Sequence, residues 1–336
     1  MSIIAKEDIR EQIDNLKADG HTVYSISRLN NFNSCPYCYH LTYNLKLPQV
    51  QNPYSVMGDV IHDAIENIYK GEKSKEDMVS ILNETLLKCE LFGIKFPSEK
   101  IKANWVADMT HFVNNFKKLD GDFITEKGFV FDIDGVFMQG FIDAINRKDE
   151  SLNILDWKTS SAFKGEKLKD AGRQLILYKL AIESLFNMSV DKVGWDMLKY
   201  VYVCYGNRKK MCSRRQWVKD ISNLLETDLK KLGIDIFLIS MYIDQAIKSN
   251  SLDGMPIQIQ EKYSLEDCIV YYNITDDLVD ECKTYISNTV KKIEDRSNSI
   301  DDDWEHTEIN AKTLFFCEQL CGQRDNCKYL KEYKNL

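Results

Sequence analysis

The chain has 336 residues, 44% of them apolar, and a formal net charge of −8. That suffices for one large buried core or two small ones, and the acidic balance excludes a protein that coats polyanions through its whole surface. Residues 1–17 are charged throughout, and no apolar stretch approaches the length of a bilayer span, so the expectation is a soluble, cytoplasmic protein with no membrane partner.

In chain order, residues 5–18 carry a polar helical pattern. Residues 24–29 lead into Asn30-Asn31-Phe32-Asn33-Ser34-Cys35-Pro36, and residues 37–47 are aromatic and aliphatic, suited to packing on a core. Met57-Gly58-Asp59-Val60-Ile61-His62 opens a helix that runs to about Tyr69, with His62, Ile65, Glu66 and Tyr69 on one face. Residues 75–92 and 99–118 read as amphipathic helices that cover a sheet or form an insertion. Two strands, 123–133 and 136–147, meet at Asp134-Gly135, a strong hairpin signal. Residues 152–157 make a third strand, 171–186 a helix and 199–205 a further strand. Strands followed by a helix and another strand predict an α/β fold, a mixed central sheet flanked by helices. Beyond Arg214, residues 216–248 are helical with a break near Gly233, and 268–273 form a short strand. Thr275 caps a helix over 276–296, and the acidic run 301–303 reads as a solvated linker.

The stretch from Gly140 to Tyr178 concentrates the chemistry. In a strand, residues two apart share a face, so Asp143 lies with Phe141 and Ile145, and Asp156 and Lys158 lie with Leu152 and Ile154. Each apolar face turns charged at the same end of its strand. Buried lone carboxylates are costly unless paired, and a divalent cation with an adjacent ammonium would pair them. Phosphodiester hydrolysis asks for that set: a hard cation on a phosphate oxygen, an activated water, and charge stabilisation at phosphorus. Asp143 and Asp156 are the candidate oxygen ligands, and Lys158 the group that orients water or stabilises the transition state. Taken alone, Asp-x-Lys also fits a surface pair on a hairpin.

From Lys199 to Lys219 the chain carries Lys199, Arg208, Lys209, Lys210, Arg214, Arg215 and Lys219 with no Asp or Glu, interleaved with Tyr200, Tyr202, Tyr205 and Trp217. Basic side chains can hold phosphates while aromatics stack on bases, which makes Arg208, Lys209, Lys210, Arg214 and Arg215 candidate nucleic-acid contacts. A solvated loop with core aromatics fits the same composition.

Of ten cysteines, Cys89, Cys204, Cys212, Cys268 and Cys282 are scattered and suit buried apolar roles. Cys317, Cys321 and Cys327 pack three thiols into 11 residues. Three thiolates need a fourth to complete a tetrahedral zinc site or a four-iron cluster. Cys35 is the obvious candidate, with Cys38 its rival, and spacing alone does not separate zinc from iron.

In order and spacing these motifs resemble the PD-(D/E)xK nuclease superfamily, in its RecB-like exonuclease branch. That family shows Gly-x-(Ile/Val)-Asp, then Asp/Glu-x-Lys, then Gln-x3-Tyr on a helix; here these are Gly140 to Asp143, Asp156 to Lys158, and Gln174 with Tyr178. Ser25 to Leu29, Phe32 and Cys35 match an N-terminal motif of the family, and Gly58 with His62 matches its Gly-x3-His. A lone His on an apolar helix face is usually a satisfied core residue; the resemblance instead implies a metal ligand. It implies a restriction-endonuclease-like core, Mg²⁺ or Mn²⁺ held by His62, Asp143, Asp156 and the Trp157 carbonyl, and catalysis by Asp143, Asp156, Lys158, Gln174 and Tyr178.

The family's iron–sulfur members place one Cys before the nuclease motifs and three after. The resemblance therefore implies a 4Fe-4S cluster on Cys35, Cys317, Cys321 and Cys327, a structural staple joining the two chain ends. One departure is that three residues, not two, separate Cys317 from Cys321.

The expected organisation is an N-terminal helix (1–23), a nuclease core (24–212), a helical region (213–300) and a cysteine-rich segment (301–336). The expected activity is metal-dependent DNA cleavage, as an exonuclease on single strands or free ends. No helicase motif such as Gly-x4-Gly-Lys-(Ser/Thr) is present, so a motor would be a separate helicase or recombination partner. The competing expectation is a zinc-bearing DNA-binding scaffold with an inactive centre.

Overall fold

The computed structural model of the chain describes residues 6–148, 151–296 and 304–335. Helix α1 (Lys6–Ala18) lays Ile9 and Ile13 on the sheet beside Val23 and is followed by the two-residue strand β1 (Val23–Tyr24). Ser25 caps α2 (Ile26–Ser34), its hydroxyl accepting from the Arg28 N–H at 3.2 Å. The short α3 (Pro36–Tyr39) runs into a single π-helical stretch, His40–Asn44, and buries Tyr37, Tyr39 and Leu41 as the apolar run predicts.

Helix α4 (Pro53–Lys70) starts four residues before the expected Met57. Asn52 accepts from two N–H groups of the first turn and Pro53 has none to satisfy, a start signal the apolar pattern did not carry. Helices α5 (Lys75–Leu91) and α6 (Glu99–Asn115) follow nearly as expected. Strands β2 (Asp122–Ile133) and β3 (Val136–Lys148) form the hairpin predicted at Asp134-Gly135, and β4 (Ser151–Lys158) runs antiparallel to β3.

Helix α7 (Glu166–Phe186) crosses over to β5 (Lys192–Tyr205), which pairs parallel to β4 and begins seven residues before the expected 199. A hairpin leads to β6 (Arg208–Ser213), so much of the basic stretch is strand rather than loop. After α8 (Trp217–Asp220), α9 (Ser222–Lys231), α10 (Ile236–Ser249) and α11 (Ile257–Lys262), strand β7 (Tyr263–Tyr272) returns to pair with β5. Helix α12 (Asp276–Asp295) packs into the main core, with Thr275 at its N-cap position but making no side-chain cap bond. A π-helical stretch, Phe316–Leu320, and α13 (Lys328–Lys334) end the chain. The acidic run 301–303 lies outside the described residues. Among the described residues, no helix is long and apolar enough to cross a membrane.

The seven strands form one mixed sheet flanked by helices, the predicted α/β class. Alternation splits its neighbours into two layers: Leu152 and Ile154 pack with α2, α7 and α12, while Ala144, Leu155 and Trp157 pack with α4, α5 and α6. Because β7 and α12 join this core, a division at 212/213 would cut through the sheet. The helices between, α8 to α11, build a satellite core against Val201 and Val203 of β5.

Strand pairing leaves an opening in the middle. Along one edge of β3 runs β2; the other edge is shared by β1, at Phe137 and Met138, and β4, from Ala144 onward. The β3–β4 ladder stops at Ala144 opposite Leu155, so Asp143 and Asp156 are the next residues along, just where the two strands part.

Candidate active site

Asp143 is held from two sides. Its Oδ2 accepts the backbone N–H of Trp157 at 2.9 Å, which ties the ends of β3 and β4 together, and lies 3.5 Å from His62 Nδ1. His62 comes from α4, on the opposite layer from α7, and stands edge-on to the Trp157 ring. Its approach depends on Gly58, one turn earlier: a Cβ there would stand 3.3 Å from Thr159 Oγ1, just past β4. Burial opposes the imidazolium, but the hydrogen bond and charge of Asp143, with that of Asp156, raise its pKa.

Asp156 is 1% exposed. Burial, and the Asp143 carboxylate beyond it, push its pKa up to about 6 despite the opposing Lys158. Lys158 Nζ stands 2.5 Å from Asp156 Oδ2, a buried ion pair. Burial works against the Lys158 ammonium, and Asp156 and Asp143 outweigh it, holding the pKa above the ordinary value.

The α7 face completes the set. Lys158 Nζ donates to Gln174 Oε1 at 3.2 Å, and Gln174 Nε2 donates to the Tyr178 hydroxyl oxygen at 2.6 Å. Tyr178 is buried and packs edge-on against Phe129. Gly140 makes room for that ring, since a Cβ there would meet it at 2.6 Å. The glycine thus supports the tyrosine through a phenylalanine. Burial, with Asp156 and Asp143 nearby, drives the Tyr178 pKa well up, so the phenol stays neutral.

Sequence reasoning missed Glu126. It lies between Thr125, opposite Ala144, and Lys127, opposite Ile142, and therefore beside Asp143 across the β2–β3 ladder. Its φ of 51° is the left-handed region that a glutamate rarely adopts, and its charge adds to the upward push on Tyr178. A third acidic residue at the hairpin level of Asp143 was the only sequence signal.

Among the described residues, no three His, Cys, Asp or Glu side chains are gathered into a ready metal cage. The donor chemistry nevertheless fits a divalent cation: the carboxylates of Asp143 and Asp156 sit just past the end of the β3–β4 ladder, and the His62 imidazole lies 3.5 Å from Asp143.

The cysteines converge more than the motif implied. Cys35, Cys38, Cys317, Cys321 and Cys327 all line one cavity, together with His306 and Tyr329. Cys38 Sγ lies 3.6 Å from Cys321 Sγ, and Cys35 Sγ accepts the Cys38 N–H at 3.5 Å. The space between the side chains is small, about 30 Å³, but five soft thiols about one cavity are the donor chemistry of a thiolate-held metal group.

The basic residues divide. Arg214 is 3% exposed and bound to Asp267, and Arg215 is bound to the buried Asp108 through its side chain and its backbone N–H. Both take part in internal ion pairs. Lys210 reaches the Asp220 carbonyl, and Lys209 lies over the Tyr202 ring. Arg208 is exposed on the β5–β6 hairpin.

Residues 23–328 match the family model of the PD-(D/E)XK nuclease superfamily, while no curated protein matches the chain. That match spans most of the chain, the motifs it contains meet at one strand end, and the chain belongs to the PD-(D/E)XK nuclease superfamily.

Proposed function

We propose that this nuclease is a Mg²⁺- or Mn²⁺-dependent DNA exonuclease acting on single strands or free ends, stapled by a cysteine-held 4Fe-4S cluster. The observation that carries the cleavage reading is the constellation itself: Asp143, Asp156, Lys158 and His62 converge where β3 and β4 part. Asp143, Asp156, His62 and the Trp157 carbonyl would hold the divalent cation, which would supply Lewis-acid polarisation of the phosphate and lower the pKa of a water.

The remaining work falls to the chain. Lys158 keeps its proton in a buried site, so its charge is available to phosphate oxygens as negative charge builds on them. Gln174 fixes that ammonium from one side and Tyr178 fixes Gln174. Preorganised donors of this kind act where water is excluded and cost no reorganisation during reaction.

At the cysteine cavity, Cys35, Cys317, Cys321 and Cys327 are the proposed cluster ligands, with a structural role. One distance favours a second reading there. The 3.6 Å between Cys38 and Cys321 is close to the edge of a zinc tetrahedron, about 3.8 Å for Zn–S bonds of 2.3 Å. Iron and sulfide analysis separates the two.

The test of function is digestion of end-labelled single-stranded DNA with Mg²⁺ or Mn²⁺, compared with EDTA. Products shortening progressively from an end are expected. Full activity in EDTA, or internal cuts in circular single strands as efficient as on linear ones, overturns the metal or the exonuclease part respectively.

A further inference from the structure

A cleft of about 710 Å³ opens beside the active site, within the size range of ligand pockets. One wall is the segment leaving β4, where Ser160 and Ser161 follow Lys158 by two and three residues. At most ~3.5 Å per residue, these hydroxyls lie within about one nucleotide's reach of the catalytic lysine. The cleft is also lined by Tyr54 of α4, Trp105 of α6, Lys199 and Tyr200 of β5, and Phe315 before the C-terminal π-helical stretch.

Three features of this cleft are unspent. Lys199 makes no ion pair or hydrogen bond among the described residues, although Arg215 beside it is neutralised by Asp108. Burial lowers the Lys199 pKa, opposed by the Asp108 charge and assisted by that of Arg215. Phe315, which lines the cleft, is 47% exposed, and Trp105, though only 2% exposed, has an indole N–H with no acceptor. A free cation next to hydroxyls suits a phosphate, and an exposed ring suits a base, which offers a π-face whatever its identity.

We propose that this cleft holds the nucleotide next to the scissile phosphate of a single DNA strand, with its phosphate on Lys199 and its base on Phe315. This rests on the DNA-nuclease reading and adds to it the path of the strand, away from the β5–β6 hairpin that composition singled out. Lys199 acts in binding and register and has no part in the chemical step. A duplex, whose bases are stacked inside, cannot offer one to Phe315 without fraying.

The test is anisotropy of a short fluorescein-labelled single-stranded DNA with divalent metal withheld, so that binding is read without cleavage. Lys199→Gln is expected to weaken binding roughly tenfold and to flatten the salt dependence by about one phosphate contact, with Lys199→Arg near wild type. Phe315→Ala is expected to weaken binding roughly tenfold with an unchanged salt slope, because it removes stacking and no charge. Lys248→Ala, an exposed charge on α10 outside the cleft, controls for net charge. If Lys199→Gln and Phe315→Ala both bind like wild type while the wild-type protein cuts DNA, the cleft assignment is wrong and the nuclease reading stands. If both variants lose as much affinity for a blunt duplex, the single-strand assignment is wrong. A wild-type protein that neither binds nor cuts DNA removes both.

Discussion

Lys158 and Gln174 meet across the layer boundary: the ammonium at the end of β4 donates to the amide oxygen on α7 at 3.2 Å. Gln174 in turn is held by Tyr178, so a buried phenol two hydrogen bonds away helps set where the Lys158 charge sits.

Lys158→Ala should therefore lower kcat by roughly 10³-fold or more while the affinity for DNA, measured without metal, stays within a small factor. Tyr178→Phe keeps the ring packed on Phe129 and removes only the acceptor for Gln174. It should lower kcat by roughly tenfold with KM little changed. Near wild-type kcat for Lys158→Ala would remove that residue from the mechanism.

The imidazole of His62 and the Asp143 carboxylate come from elements far apart in sequence and stand 3.5 Å apart. Asp143→Asn and Asp156→Asn should each abolish cleavage, because each removes an anionic donor. His62→Ala should cut the rate strongly at low Mn²⁺ and recover part of it as Mn²⁺ is raised, since loss of a neutral ligand mainly weakens affinity. A rate titration against Mn²⁺ checks this; a lowered plateau with an unchanged midpoint would refute a ligand role.

Protein purified without oxygen should be brown, with iron and acid-labile sulfide each near four per chain. Cys321→Ala should lose the colour and lower Tm, because the cross-link closes the long loop from Cys35 to the C-terminal trio. Cys38→Ala should keep both and Cys35→Ala should lose both. A colourless protein with one tightly bound zinc would replace the cluster by zinc. Bleaching by Cys38→Ala alone would exchange the two residues as ligand.

Asp196, on β5, is buried beside Asp267 and Arg214, with one carboxylate oxygen lacking a partner. Burial, then the Asp267 charge, raises its pKa from 3.8 to about 7. The folded chain thus keeps a proton that the unfolded chain releases, so this site's contribution to stability falls as pH rises from 3.8 to about 7, then levels. Asp196→Asn should raise stability at pH 8 by roughly 1–3 kcal/mol, the gain shrinking to nothing near pH 4. Urea melts of both proteins across that range provide the measurement; a gain independent of pH would assign the effect to packing.

Much of the candidate site was legible because it is local. Period-two alternation puts Asp156 and Lys158 on one face, and four-residue spacing does the same for Gln174 and Tyr178 on α7. Element ends read less well where the signal was a cap rather than a period, as at Asn52 before α4.

What tertiary structure alone decided is which distant charges and thiols meet. Arg214 and Arg215 stand in a run free of acids, yet their partners Asp267 and Asp108 lie 53 and 107 residues away. Spacing left Cys35 and Cys38 as rivals, and only the meeting of the chain ends set the Cys38 sulfur 3.6 Å from that of Cys321. Periodicity reports the face on which a residue sits. The counter-charge or sulfur awaiting it there depends on how the sheet and helices close, because such contacts join residues whose separation along the chain has no period.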